Sequence, residues 1–376
     1  MASSKRAGLA ARLSDTRVCI CLGSGGVGKT TTSTALALAL AARGQKVAVI
    51  TIDPARRLAA ALGLDERSAD AETGHLIDPE SFAAQGIEMR GELWAMILDP
   101  KRTFDEIVAQ LEPGQRERDE ILSNPIYQQL STAVAGSQEL SAIAKLYELH
   151  HDRAFDVIVL DTPPSRNAMD FLDAPTRLLG FLEGRALKVF IAPGGLTARL
   201  FGRPTAMVFS IFARVTGVDT LADLSRFFRS VSGVIEGFGE RTRGVAALLR
   251  EPSTRFLIVT SPEPEPAKEA VFLAEGLTAR DMSHGELIVN RVHSDGLGGH
   301  SPEQVKELLE PQLGDRLAAR VAHNLGDFDV LVERDRHTIA QLSEELHEGD
   351  PILIPHFDQD IQDLAGLARV AERLFA

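Results

Sequence analysis

The clearest chemistry lies in one run, Gly23-Ser24-Gly25-Gly26-Val27-Gly28-Lys29-Thr30. It satisfies G-x-x-x-x-G-K-Thr/Ser between a strand-like and a helix-like segment, the setting a phosphate loop needs. Glycines let the backbone curl until its N–H groups converge on phosphate oxygens, while the helix N-terminus adds partial positive charge. Lys29 is spaced to reach the β- and γ-phosphates, and the Thr30 hydroxyl to ligate Mg²⁺. Gly23 to Thr31 are therefore candidate nucleotide-binding residues, with ATP and Mg²⁺ as ligands. Gly23, Gly25 and Gly28 also satisfy G-x-G-x-x-G, and Asp53 stands about where a dinucleotide fold places its ribose-binding acid. Such a fold has no need of a lysine and a hydroxyl directly after the last glycine, which makes the dinucleotide the rival reading.

Two carboxylates can complete a phosphoryl-transfer site. Asp161 ends the apolar run Phe155-Asp156-Val157-Ile158-Val159-Leu160 and precedes Thr162-Pro163-Pro164-Ser165. An oxygen-ligated octahedral ion beside the β- and γ-phosphates calls for such an acid, commonly through water. Asp53 closes Lys46 to Ile52 and opens Asp53-Pro54-Ala55-Arg56-Arg57. It is a candidate catalytic residue that orients the attacking water, while Lys29, the other, neutralises phosphate charge. Both acids also suit a plain helix cap, and Pro54 suits a first helical turn.

Parallel strands must carry these residues. Short apolar runs at Val18 to Leu22, Lys46 to Ile52, Leu93 to Leu98, Phe155 to Leu160, Phe256 to Thr260, Leu287 to Asn290 and Pro351 to Ile354 alternate with longer helical patterns. Their nearly continuous hydrophobicity predicts a sheet covered on both faces. Lys29 to Arg43 reads as a helix with Gly44 at its C′ position. About 100–151 and 167–250 lack strand signals and read as helical insertions on a single domain spanning 1–376. Pro262 to Pro266 reads as a stiff connector after a strand.

The bulk composition narrows the class. A net charge of −13 argues against a nucleic-acid partner, and 44% hydrophobic with 25% charged residues predicts an ordinary packed core. Cys19 and Cys21, two apart on one strand face, are core residues rather than a disulfide or a zinc clip. The N-terminal segment, interrupted by Arg12, is not a signal peptide, and no apolar stretch approaches the ~18 residues of a membrane span. A cytoplasmic protein that is not integral to a membrane is expected.

The glycine-rich loop, Asp-Pro-Ala after the second strand and Asp-Thr-Pro-Pro-Ser after a later one together resemble the arsenite-pump and tail-anchored-protein-targeting (anion-transporting) ATPases. The likeness runs over nearly the whole chain and is nearest to their bacterial branch. It implies an α/β P-loop NTPase fold with a mostly parallel, doubly wound sheet, like MinD and the nitrogenase iron protein, plus a helical subdomain. It also implies ATP hydrolysis coupled to rearrangement across a homodimer or heterodimer. On this pattern Asp53 is the switch I acid and Asp161 the switch II acid. Asn290 matches the adenine-contacting asparagine, and Pro355-His356-Phe357-Asp358 matches the segment that closes over adenine or ribose.

The chain departs from that pattern at three points. The family's signature lysine, which reaches across the dimer to the partner's phosphates, falls at Ser24. A lost cationic finger is worth about 10³–10⁵ in rate. A lysine-bearing sister subunit is therefore expected, with Arg56, Arg57 and Arg166 as candidates to substitute. The zinc-binding C-x-x-C of the targeting ATPases and the metalloid-binding cysteines of the arsenite pump are also absent. Ser24 equally suits a weakly hydrolysing regulatory subunit. Leu187 to Val215, with Phe190, Phe201, Phe209 and Phe212 among apolar neighbours, is either a packed helical face or a groove for a client's hydrophobic membrane segment.

Overall fold

The computed structural model describes residues 8–51, 57–63, 74–111, 114–133, 137–162, 168–184, 227–228, 231–346 and 350–376. Eight strands form one sheet in the order β3-β4-β2-β5-β1-β6-β7-β8. They are β1 (Val18–Leu22), β2 (Lys46–Thr51), β3 (His75–Leu76), β4 (Glu92–Ile97), β5 (Val157–Asp161), β6 (Thr254–Thr260), β7 (His284–Val292) and β8 (Ile352–Pro355). Every pairing is parallel except that of β3 with β4. This is the mostly parallel α/β fold of a P-loop NTPase.

Strand β1 sits at the centre because all five of its residues are buried. Its side chains alternate between two cores, as strand periodicity requires. Val18, Ile20 and Leu22 enter a cluster with Ala142, Leu146, Leu172, Val245 and Leu273. Cys19 and Cys21 enter the other, with Leu36, Leu40, Val49 and Leu367. Each fully buried Leu or Ile contributes about 1.5–3 kcal/mol, so both sheet faces are strongly held. The two cysteines are free and buried, as their spacing predicts.

Helix α2 (Lys29–Ala42) follows β1 and is buried along nearly its whole length, which suits its Ala and Leu content. It ends where Gly44 takes φ +102° and donates its N–H to Ala41 O. The short helices α1 (Leu9–Arg12), α3 (Arg57–Ala61) and α4 (Pro79–Ala83) flank it in sequence. Residues 100–151 carry α5 (Pro100–Leu111), α6 (Gln115–Leu122), α7 (Pro125–Ala133) and α8 (Ser137–His151); α9 (Ala168–Leu182) and α10 (Ser232–Leu248) follow β5. Most of 185–230, with Leu187 to Val215, lies outside the described residues.

One expectation changes. Pro264 to Pro266 is not a connector but the start of α11 (Pro264–Thr278), with Glu263 as N-cap. Proline is compatible with a first helical turn because that turn's N–H groups lack intrahelical partners. Between β7 and β8 the chain folds into a helical hairpin, α12 (Pro302–Leu313) and the 31-residue α13 (Asp315–Glu345). A capping box at Ser301 and Gln304 starts the hairpin. Helix α14 (Leu364–Leu374) then packs on α2.

Candidate functional site

The C-terminal ends of β1, β5, β2, β6 and β7 converge on the loop 23–30. Ligands bind at this edge of open parallel sheets. Two glycines are required by close approach. Gly23 takes φ +151°, and a Cβ there would lie 2.0 Å from Val259 O of β6. Gly28 takes φ +93°, and a Cβ there would lie 2.3 Å from Asn290 Nδ2. Gly28 is also the N-cap of α2 and supplies no side-chain cap. The first N–H groups of that helix are left for a ligand, with the helix dipole behind them.

Lys29 is buried at the head of α2, and its ammonium donates to Ser24 O at 2.7 Å across the mouth of its own loop. That bond fixes the position of Nζ, which has three hydrogens to distribute. On the β5–β2 side the Thr30 hydroxyl donates to Asp161 Oδ2 at 2.7 Å. The Thr51 hydroxyl donates to the same oxygen at 3.0 Å. Parallel register explains the meeting, since Asp161 is paired with Cys21 of β1 and with Thr51 of β2. With its one hydrogen committed to Asp161, Thr30 offers a ligand its oxygen lone pairs. These hard oxygen donors fit Mg²⁺. Among the described residues no group of three His, Cys, Asp or Glu could hold an ion unaided. An ion here would complete its shell with water and substrate phosphates, as Mg²⁺ commonly does.

On the β6–β7 side the Asn290 amide donates from Nδ2 to Val27 O at 2.8 Å, and its Oδ1 accepts from Arg291 N at 2.9 Å. The predicted adenine contact thus braces the phosphate loop directly. Pro355 ends β8 opposite Val292. Phe357 is half-buried against the α2–α14 core, with the Arg369 guanidinium 5.2 Å from its ring centroid. The exposed ring of that loop is His356. Asp53, Arg56, Arg166 and the side chain of Arg57 lie outside the described residues, as do Pro163 to Ser165.

Sequence reasoning overlooked Thr51 and Glu269. Thr51 was legible in principle, because pairing two parallel strands in register sets their C-terminal residues side by side. Glu269 on α11 gives no local signal. Burial raises its carboxyl pKa, and the positive charge of Lys29 acts against that rise. The cysteines carry no site chemistry: burial pushes the Cys19 thiol to about 12. Burial raises Cys21 well above its ordinary value too, with the Asp161 charge adding to the effect. Neither is a thiolate near neutral pH, the form that metals and metalloids take.

Comparison with known proteins agrees with this architecture. A protein described as "Putative arsenical pump-driving ATPase 1" from Aquifex aeolicus (strain VF5) is 28% identical over 237 residues, which is 60% of this chain and 51% of that protein. The chain thus spans about half the length of the curated relative it matches. The model of the anion-transporting ATPase family matches residues 16–298, most of the chain. With its parallel sheet and glycine-bounded loop, the chain belongs to the anion-transporting ATPase family.

Proposed function

We propose that this protein binds ATP with Mg²⁺ and hydrolyses it to ADP and phosphate, using nucleotide state to rearrange a dimer and the helical insertions near 100–151 and 167–250. The carrying observation is the Thr30 hydroxyl at 2.7 Å from the buried Asp161 carboxylate, directly after a lysine-bearing glycine loop. Backbone N–H groups of Gly23 to Thr31 cradle the phosphates, and Lys29 holds the outer ones. Asp53 orients a water whose oxygen bonds to the γ-phosphorus as the bond to the β-bridging oxygen breaks. Asp161 orients Thr30. Mg²⁺ held by Thr30 and, through water, by Asp161 would neutralise phosphate charge.

Ser24 favours a second element of the reading, a homologous partner that brings a lysine to these phosphates. The Ser24 carbonyl already accepts from the subunit's own Lys29, and its side chain carries no charge. A trans-acting cation stabilises the transition state by about 10³–10⁵ in rate, so the chain alone turns over slowly. At its limit this is a regulatory subunit that scarcely hydrolyses.

Calorimetry and single-turnover hydrolysis test both elements. Magnesium-dependent ATP binding is expected for the full chain and is lost in Lys29→Ala. Absence of any such heat in the wild-type chain sinks the nucleotide reading. NAD binding that survives Lys29→Ala, with no ATP affinity, would restore the dinucleotide rival. Fast turnover by the chain alone, indifferent to Ser24→Lys, removes the need for a lysine-bearing partner.

A further inference from the structure

The α12–α13 hairpin follows β7 and has a small core of its own, in which Val305 and Leu309 of α12 meet Ala322 and Leu325 of α13. Its root is anchored by Asp335 of α13, which is fully buried. Asp335 Oδ2 accepts the main-chain N–H of His293 at 2.9 Å and lies 2.7 Å from His293 Nδ1. A carboxylate only accepts, so Nδ1 carries the hydrogen. Phe328, two helical turns earlier, meets the same imidazole edge-on at 5.1 Å between centroids. From there α13 runs back roughly 20 Å to the turn at Gly314.

Of the eight large apolar side chains exposed among the described residues, five belong to this hairpin: Leu308, Leu313, Leu317, Phe328 and Val330. Scattered exposed leucines need no explanation, but a run in register does. Leu317, Val321, Asn324 and Phe328 follow one another at intervals of 4, 3 and 4 residues, the repeat by which one helix lays a seam on another. Val321 is half-buried and the other three are exposed. The stripe that α12 covers borders the seam on one side, and Arg320 and Asp327 border it on the other. Arg320 is exposed and makes no ion pair among the described residues. The Asp327 carboxylate meets only the exposed His323 of its own helix, at 3.6 Å.

Turned end for end about a twofold axis near positions 322–323, this face complements itself. An antiparallel pair sets Leu317 against Phe328 of the second copy and Val321 against its Asn324. Arg320 then comes alongside Asp327 on both sides of the axis. A parallel pair would set Arg320 against Leu325 instead, which is already packed on α12. An asparagine in such a seam selects register at some cost in stability.

We infer that the Leu317–Phe328 face of α13 is a docking surface for a second copy of this chain, joined as an antiparallel helix pair. It stands apart from the phosphate loop and does not rest on the nucleotide reading. A seam of four layers buries less than the ~1,200 Å² of a standard interface, so a reversible dimer with a Kd no tighter than about 1 μM is expected.

Sedimentation velocity of the nucleotide-free full chain, at concentrations up to about 1 mM, reads this dimer. Wild type should dimerise, and Leu317→Glu, which puts a charge into the seam at an exposed position, should stay monomeric. Arg320→Glu and Asp327→Arg should each weaken the dimer about tenfold, because both pairs across the axis turn repulsive. Mixed in equal amounts, the two variants should recover the wild-type affinity, since each pair in the mixed dimer is again opposite in sign. That recovery separates a direct contact from damage to the fold by either substitution. A wild-type chain that stays monomeric overturns the inference. A dimer indifferent to Leu317→Glu lies on another face and overturns it too. Weakening in the single variants without recovery on mixing overturns the antiparallel pairing, and the assignment with it.

Discussion

The two flanks of β1 hold the same loop by different means. On the β5–β2 side the hydroxyls of Thr30 and Thr51 meet at one oxygen, Asp161 Oδ2, through strand register. On the β6–β7 side the loop is fitted against its neighbours by missing atoms, with Gly23 under Val259 O and Gly28 against the Asn290 amide. The contrast teaches where each device belongs. Hydroxyls and a carboxylate gather on the side of Thr30, whereas on the other side close backbone approach, seconded by the Asn290 amide on Val27 O, fixes the shape of the loop.

The shape-fixing flank predicts the largest effect. In Gly23→Ala the new methyl meets a backbone carbonyl that cannot step aside without moving β6. A loss of about 3 kcal/mol or more in stability is expected, with loss of nucleotide binding. Gly28→Ala meets a side-chain amide that can give way only by releasing its bond to Val27 O, and adds left-handed strain, together about 2 kcal/mol. Urea midpoints at unchanged slope measure both. Equal costs would break the distinction between rigid and yielding neighbours.

The charge-handling flank comes next. Asp161→Asn keeps an amide oxygen to which the Thr30 and Thr51 hydroxyls can still donate but removes the negative charge beside them. Residues that orient a metal ligand are worth about 10–100-fold in metal affinity or activity. The Mg²⁺ concentration that supports half-maximal ATP binding should rise by that factor. Thr51→Val removes one donor to Asp161 Oδ2 and should cost only about 1 kcal/mol of stability. An effect of Thr51→Val on Mg²⁺ as large as that of Asp161→Asn would show that the two hydroxyls act as one unit.

These two flanks were unequally legible in the sequence. Lys29, Thr30 and Asp161 belong to local patterns: a glycine loop, and an acid closing an apolar strand. The parallel sheet was legible too, because strands buried on both faces read as unbroken apolar runs. The His293–Asp335 contact was not, since its partners lie 42 residues apart. In the charged stretch of α13, Asp335 reads like any solvated helix acid, and its complete burial follows only from how the hairpin docks. The start of α11 was hidden for another reason. Its prolines are loop residues by composition and helix-starting residues by position.

One ion pair fastens the flanks to each other and carries the smallest expected effect. Asp173 lies on α9, which follows β5, and Arg280 follows α11 and hence β6. The pair is bidentate, with Arg280 Nε and Nη2 donating to the two carboxylate oxygens at 2.8 and 2.9 Å. The hydrogen bonds from Arg280 hold the Asp173 carboxyl below its ordinary value of about 3.8, with burial acting in the opposite direction. Because the folded pKa is depressed, the pair's stabilisation is fully present above about 3.8 and is lost as pH falls through the folded value. More than a third of the Asp173 side chain is exposed, at 38%, so solvent screening limits the contribution to about 0.5–1 kcal/mol. Asp173→Asn should lower the urea-derived stability by that amount near neutral pH. The gap should narrow as the pH approaches that of a protonated carboxyl, and 1 M salt should also reduce it. Neither residue touches the loop, so Mg-ATP affinity should move less than about twofold. A tenfold change in that affinity would mean that the bond sets how the flanks close on nucleotide, and the two sides of β1 would have to be treated as one coupled device.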